Sequence, residues 1–475
     1  MTKIINVDGS LLRIEKINKQ IELSQDQTNA LNSIKEWLYR DIKQPSDCFF
    51  KLLGGAGTGK TTLIANVISD LQGQFKFKTC ISAPTHKAKK VIVDKTGFKT
   101  SETVQALLGL KPDIDIENFD VNNPIFNAIS QKKLASYRLL IIDESSMINN
   151  DLYSILCEDA NRFGTKILFI GDTLQLPPVN EKLSQSLISP VNGYELTEII
   201  RQKNTNPLLE ILGILRDDIV NNTINYIQYL KDNPTNINEI EGYKVLSGAE
   251  FGQELIAAYK SMEYQKDRNY LRYISWTNKS IQDANRYIRK HSVDSTNPLV
   301  IGELLLGYKT ITDNDNDLIL LNSEDYIVDK IEEGVDGLEI KVLYVTIKGL
   351  DDNTFKKTIK IVSPNFDNYM KYLAERDDLL FTAKQKKGKF WRYYFDFRGS
   401  YVLLENLLSK DGKTLLDKKD IDYGYGVTIH KSQGSTYNTI FVDAKNINLN
   451  RDETDKKKLL YVALSRASNK VYINL

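Results

Sequence analysis

The sequence predicts an α/β protein built from two parallel-sheet units, the second split by an antiparallel insertion. Three observations carry this prediction. Short β-branched apolar runs ending in glycine or polar residues alternate with helical stretches from Phe49 to Asp172, and again from Tyr270 to Leu475. The first of these runs opens directly into a glycine-rich loop and a helix. From residue 301 to about 362 the pattern changes to short apolar-polar alternation between Gly, Asp and Asn turns, which predicts a small antiparallel barrel.

The glycine loop, Leu53-Gly-Gly-Ala-Gly-Thr-Gly-Lys-Thr-Thr62, has the spacing of a phosphate-binding loop followed by a helix from Leu63. Small residues at Gly55, Ala56, Gly57, Thr58 and Gly59 let successive backbone N–H groups turn toward a phosphate chain. Lys60 would reach the β and γ phosphates, the Thr61 hydroxyl would hold Mg²⁺, and Thr62 continues the helix start, whose N-terminus favours anions.

Hydrophobic residues make up 41% of the 475 and charged residues 26%, the balance of a soluble protein of about three domains. No apolar run reaches the ~18 residues a membrane span needs, and Met1-Thr-Lys-Ile has no leader pattern, so a cytoplasmic protein is expected. Cys48, Cys80 and Cys157 lack metal spacing and predict buried thiols. With a formal charge of +1, any polyanion must be held by a local groove.

Residues 1–22 read as an arm of unassigned role. Ser24 then caps a helix to about Arg40, with Gln27 either completing a capping box or reading an adenine edge. Lys78 to Ala83 is a second strand, leading to Pro84, Thr85 and His86, where ligands gather at carboxyl ends of parallel strands. His86 reads equally as an exposed loop histidine. Thr100 to Leu108 caps another helix, and 111–133 is a polar insertion. Arg138-Leu-Leu-Ile-Ile-Asp-Glu144 ends in adjacent carboxylates, suited to holding Mg²⁺ (Asp143) and activating water (Glu144) opposite the loop. The strand Lys166 to Asp172 brings Gln175 to the same edge. In the second unit, a strand from Tyr270 ends at Thr277 and Asn278, and a helix runs from Ser280 to about Lys290. About 40 helical residues follow the barrel, with a basic run Lys384 to Lys389 and aromatics from Phe390 to Phe397, which could stack bases or pack between domains. The α/β pattern resumes at Tyr423.

Taken in order, GGAGTGKTT, SAPTHKAKK, TVQALLG, IIDESSM, GDTLQLPPV, LTEIIRQ, TIHKSQGST and YVALSRA resemble the motif set of superfamily 1 DNA helicases, in the RecD, Pif and Dda branch, over most of residues 23–475. The resemblance implies two RecA-like P-loop core domains. The first spans 23–200 with a pin-like insertion at 110–134; the second spans 201–300 and 420–475. A Src-homology-3-like barrel with a helical tower and hook occupies 301–419. It implies that Gln27 reads adenine, that Gln175, Arg201 and Arg466 approach the γ-phosphate, and that Gly434 lies on the nucleotide side. Pro84, Thr85, His86, Thr103, Thr277, Asn278, Thr428, His430 and Ser432 would line single-stranded DNA, with Phe126 at the pin. The implied activity is ATP- and Mg²⁺-dependent 5′→3′ translocation on single-stranded DNA and unwinding of forked duplex by a monomer, working with replication or recombination proteins. A strand translocase with little unwinding, and a P-loop phosphotransferase or switch that uses no nucleic acid, are the alternatives.

Overall fold

The computed structural model describes residues 23–475 apart from 56, 85, 99, 113–125, 129–131, 179–180, 199–205, 239, 313–317 and 351–353. Six parallel strands form the first sheet, in the order Ser101–Thr103, Thr79–Ala83, Leu139–Ile142, Lys166–Gly171, Phe49–Gly54 and Asn192–Leu196. Helices cover both faces, which is why the central strands read as continuous apolar runs rather than alternating ones. On one face Ala30, Ile34 and Trp37 of Gln25–Tyr39 pack with Leu63, Ile64 and Val67 of Lys60–Ser69. Val104, Leu107, Leu156 and Ala160 close the other. The edge strand Asn192–Leu196 went unanticipated because its exposure alternates and, among the described residues, Phe49–Gly54 alone pairs with it.

Two expected helix starts shift. The loop helix begins at Lys60, three residues before Leu63. The helix expected from Thr100 is a single turn, Val104–Leu107, capped by Thr103 after the short strand Ser101–Thr103. In the polar insertion, Leu110–Pro112 pairs antiparallel with Phe126–Ala128, Pro112 facing Phe126 across the ladder.

The second sheet orders its strands Gly426–Thr428, Leu271–Ser275, Tyr437–Asp443, Ala467–Asn474, Gly242–Leu246 and Thr235–Ile237, all parallel except the last pair. Helices Leu208–Asn221 and Glu453–Leu464 share its largest core cluster through Ile211, Leu215, Leu460 and Leu464.

The interruption forms a five-stranded antiparallel sheet, ordered Lys356–Val362, Lys341–Gly349, Asp325–Val335, Leu304–Gly307 and Ile421–Tyr423. Its fifth strand lies beyond the expected boundary at 419, because the returning chain completes the edge of Leu304–Gly307 before rejoining the parallel sheet. Helices Phe366–Lys386 and Lys389–Ser400 project from it as a hairpin. Among the described residues these aromatics pack within the inserted unit, where packing between domains was expected. Phe397 joins Tyr372 and Tyr401 in a buried cluster, whereas Trp391 stacks on Phe395 within its own helix and Tyr393 is 50% exposed. Among the described residues no helix is long and apolar enough to cross a membrane.

Candidate functional site

The strand Phe49–Gly54 delivers the glycine loop to the carboxyl edge of the first sheet. Gly57 and Gly59 take left-handed backbone angles, φ 87° and 77°, which only glycine adopts without strain. The buried Thr58 hydroxyl donates to the Gly55 carbonyl (3.0 Å), and Lys60 Nζ donates to the carbonyls of Gly54 (2.6 Å) and Gly55 (3.0 Å). Gln27 performs its capping role: Ser24 N donates to its Oε1 (3.2 Å), and Gln27 N donates to Ser24 Oγ (3.3 Å). Its Nε2 also donates to the carbonyl of Gly59 (3.3 Å), tying the first helix to the loop. Ala56 lies outside the described residues, as does Arg201.

Two strands away, Leu139–Ile142 ends in the predicted acid pair. Glu144 holds a left-handed backbone (φ 50°), a conformation costing a non-glycine residue on the order of 1–3 kcal/mol and typical of functional sites. Its N–H donates to Asp143 Oδ1 (2.9 Å). Burial pushes both carboxyl pKa values up. For Glu144 the neighbouring Asp143 charge adds to this, while Arg466 and Lys60 pull the other way.

Arg466 thus acts on Glu144 from the second sheet. It is 6% exposed, and its guanidinium donates to Val462 O (3.1 Å) and Ser465 Oγ (2.9 Å), which fix it at the end of helix Glu453–Leu464. The halves also touch directly. Tyr461 Oη donates to Asp172 Oδ2 (3.0 Å), and Gln433 Nε2 donates to Gln175 Oε1 (3.5 Å). Sequence reasoning missed Tyr461 and Gln433, although both stand inside quoted motifs. Gly434 (φ 75°) lies where a Cβ would come 2.9 Å from Ala88 Cβ, so it lets the second half seat on helix His86–Thr96. That contact, rather than one with the glycine loop, accounts for its size.

A second row of predicted residues lines neighbouring strand ends. Pro84 follows Thr79–Ala83 and Thr103 ends Ser101–Thr103; Thr277 and Asn278 follow Leu271–Ser275, and Thr428 ends Gly426–Thr428. Three of these threonines are helix caps, accepting from Ala106 N (3.3 Å), Ser280 N (3.2 Å) and Lys431 N (3.4 Å) respectively for Thr103, Thr277 and Thr428. His430 is half-buried, and burial holds its imidazole below the usual range. Ser432 departs from the expectation: it is fully buried and donates to Ile429 O (2.7 Å), so its hydroxyl closes a helical turn instead of facing a strand. His86 opens helix His86–Thr96 and Phe126 opens the second ladder strand; Thr85 lies outside the described residues.

The family model described as an AAA domain matches residues 24–233, and that of a UvrD-like helicase C-terminal domain matches 423–474, together more than half of the chain. The stretch between them holds the antiparallel sheet and helical hairpin. Over 478 residues the chain is 26% identical to the ATP-dependent DNA helicase dda of Enterobacteria phage T4, covering 95% of this chain and 99% of the relative. It is 27% identical over 485 residues to an uncharacterized protein of Acanthamoeba polyphaga mimivirus, covering 90% and 96%. The crystal structure of Pif1 helicase from Candida albicans shares the fold with a TM-score of 0.51 at 18% identity, over 96% of this chain and 95% of that one.

Proposed function

The chain belongs to the superfamily 1 helicases of the RecD, Pif and Dda type, and we propose that it is an ATP-dependent DNA helicase moving 5′→3′ on single-stranded DNA. The observation that carries this reading is the pairing of two sites across one cleft. The charge of Arg466 on the second sheet acts on the acid pair that ends a strand of the first, while Gly434, after Gly426–Thr428, seats against Ala88, in the helix that follows Thr79–Ala83. Relatives that span nearly the whole chain, one of them named as an ATP-dependent DNA helicase, support it.

In this reading Lys60 holds the β and γ phosphates and Glu144 orients and deprotonates the attacking water. Arg201 and Arg466 neutralise charge as the terminal phosphate departs. Thr61 and Asp143 supply the hard oxygen donors Mg²⁺ prefers, and Asp143 makes no ion pair among the described residues that would compete. Bound Mg²⁺ would neutralise phosphate charge. ATP bridging Lys60 and the arginines closes the cleft, and hydrolysis releases it. Alternating grip by the two rows of strand ends then moves the protein along a strand.

We read the ladder at 110–112 and 126–128 as the base of a pin, and the five-stranded sheet with its helical hairpin as a Src-homology-3-like barrel carrying a tower. The parallel sheets with their helices are the two RecA-like domains. Each forward step at a fork must unstack a base pair, at about 1.4 kcal/mol on average. A monomer suffices for this cycle, with single-stranded and forked DNA as its partners.

Unwinding of 5′-tailed against 3′-tailed duplexes, alongside ATP hydrolysis with and without single-stranded DNA, tests the proposal. Unwinding of the 5′-tailed substrate is expected. Hydrolysis indifferent to DNA, or a preference for 3′ tails, would overturn it.

A further inference from the structure

Helix Leu208–Asn221 belongs to the second sheet's core, anchored by Leu208, Ile211 and Leu215, yet it sends one long side chain across the cleft. Arg216 reaches the glycine loop. A Cβ on Gly55 would fall on its guanidinium, 2.9 Å from Cζ, and 3.3 Å from Tyr461 Oη. Among the described residues this guanidinium has no hydrogen bond and no ion pair, although it is partly buried. Lys60 Nζ donates to the carbonyl of the same Gly55 (3.0 Å). Two cations from opposite halves therefore converge on one glycine with no carboxylate paired to either one among the described residues.

Like charges brought together in a half-buried cleft repel; the acid pair Asp143 and Glu144 offsets the Lys60 charge in part, and an anion between the two cations stabilises the arrangement further. Guanidinium is well suited to that task, since its planar fork matches phosphate oxygens two at a time. The Tyr461 hydroxyl beside it is held by Asp172 (3.0 Å), whose charge also acts on Glu144, so Arg216 stands on the side of the loop that the acid pair shares.

We propose that Arg216 is a nucleotide-binding residue that takes the terminal phosphate of ATP from across the cleft, making helix Leu208–Asn221 a sensor of ATP against ADP. This rests on reading the cleft as an ATP site. It also gives Gly55 a reason of its own: any side chain there would push the guanidinium away.

The test measures binding of MgATP and MgADP to the full chain by competition with a fluorescent ADP analogue, for wild type, Arg216→Ala and Arg216→Lys. A charge-assisted hydrogen bond is worth about 1.5–3 kcal/mol, so Arg216→Ala should weaken MgATP about ten- to hundredfold and leave MgADP within about twofold. Arg216→Lys should recover part of the loss, since it restores the charge without the planar fork. An unchanged preference for ATP in Arg216→Ala would overturn the inference. So would equal weakening of ATP and ADP with a lowered unfolding temperature, which would mark Arg216 as a packing residue. Failure of wild type to bind MgATP at all would instead bring down the ATP reading.

Discussion

Lys60 donates its ammonium to two carbonyls of its own loop, so a phosphate chain must draw it away from partners it already has. Lys60→Ala is therefore expected to lose nucleotide affinity and turnover together. Glu144→Gln keeps the shape and loses only the proton acceptor: it should bind ATP as wild type does and hydrolyse it at least ~10²-fold more slowly. Equilibrium binding beside single-turnover hydrolysis separates the two, and wild-type hydrolysis by Glu144→Gln would remove Glu144 from its role. Arg466→Ala should bind ATP normally and lose ~10³-fold in rate if it acts on the departing phosphate; lost binding with intact turnover would contradict that. Glycine spacing and paired carboxylates made these positions legible in the sequence, because their chemistry is local. Arg216 and Tyr461 were not legible as cleft residues, since nothing near either in sequence reveals which helix face meets the loop of another sheet.

At the scale of elements, the central parallel strands announced themselves by unbroken apolar runs, whereas Asn192–Leu196, broken by Gly193 and Glu195, and Gly242–Leu246, opened by glycine and broken by Lys244, did not. The row of strand-end threonines has a consequence that a sequence motif hides: Thr277 caps helix Asn278–Ser292, and its N–H is held by Asn446 Oδ1 (2.9 Å). Thr277→Ala should cost about 1 kcal/mol of stability and Thr277→Ser little, as measured by urea unfolding. Any loss of DNA affinity must be judged against that baseline. His430, in the single turn Ile429–Ser432, carries a pH prediction. Its folded pKa lies below the ordinary 6.5, so the unfolded chain binds more protons between the two values, and stability contributed by the neutral ring falls as pH drops below 6.5. DNA phosphates would favour the imidazolium and raise its pKa in the complex, so binding should strengthen as pH falls through the pKa of the complex and level off below the depressed pKa of the free protein. Anisotropy of a labelled oligonucleotide across this range should show a pH-dependent gain in affinity that is absent in His430→Gln. The same pH profile in wild type and His430→Gln would show that the ring does not meet the phosphates.

For the whole molecule, the inserted sheet must keep a fixed attitude to the second parallel sheet if a helical arm and ladder are to meet a fork together. One buried pair supplies much of that attitude. Arg272, 1% exposed on the strand Leu271–Ser275, pairs its NH1 and NH2 with Asp325 Oδ1 (3.2 Å) and Oδ2 (3.1 Å) at the start of the inserted strand Asp325–Val335. The same guanidinium donates to the Gly424 carbonyl, where the chain returns from the insertion, and lies over the Tyr437 ring, 5.0 Å from its centroid. Arg272→Ala removes the bidentate guanidinium from the buried Asp325 and should destabilise by about 3–5 kcal/mol, whereas Arg272→Met with Asp325→Leu should come close to neutral. Because neither residue touches the ATP cleft or the strand ends, the double variant should retain DNA-stimulated hydrolysis near the wild-type rate. It lacks the directional, bidentate restraint between the sheets, so its unwinding per ATP hydrolysed should fall. Urea unfolding, ATP hydrolysis on single-stranded DNA and forked-duplex unwinding, measured on the same preparations, decide the matter. Equal loss of hydrolysis and unwinding in the double variant would mean that the pair supports the second sheet itself, and unchanged unwinding per ATP would mean that apolar packing alone fixes the insertion.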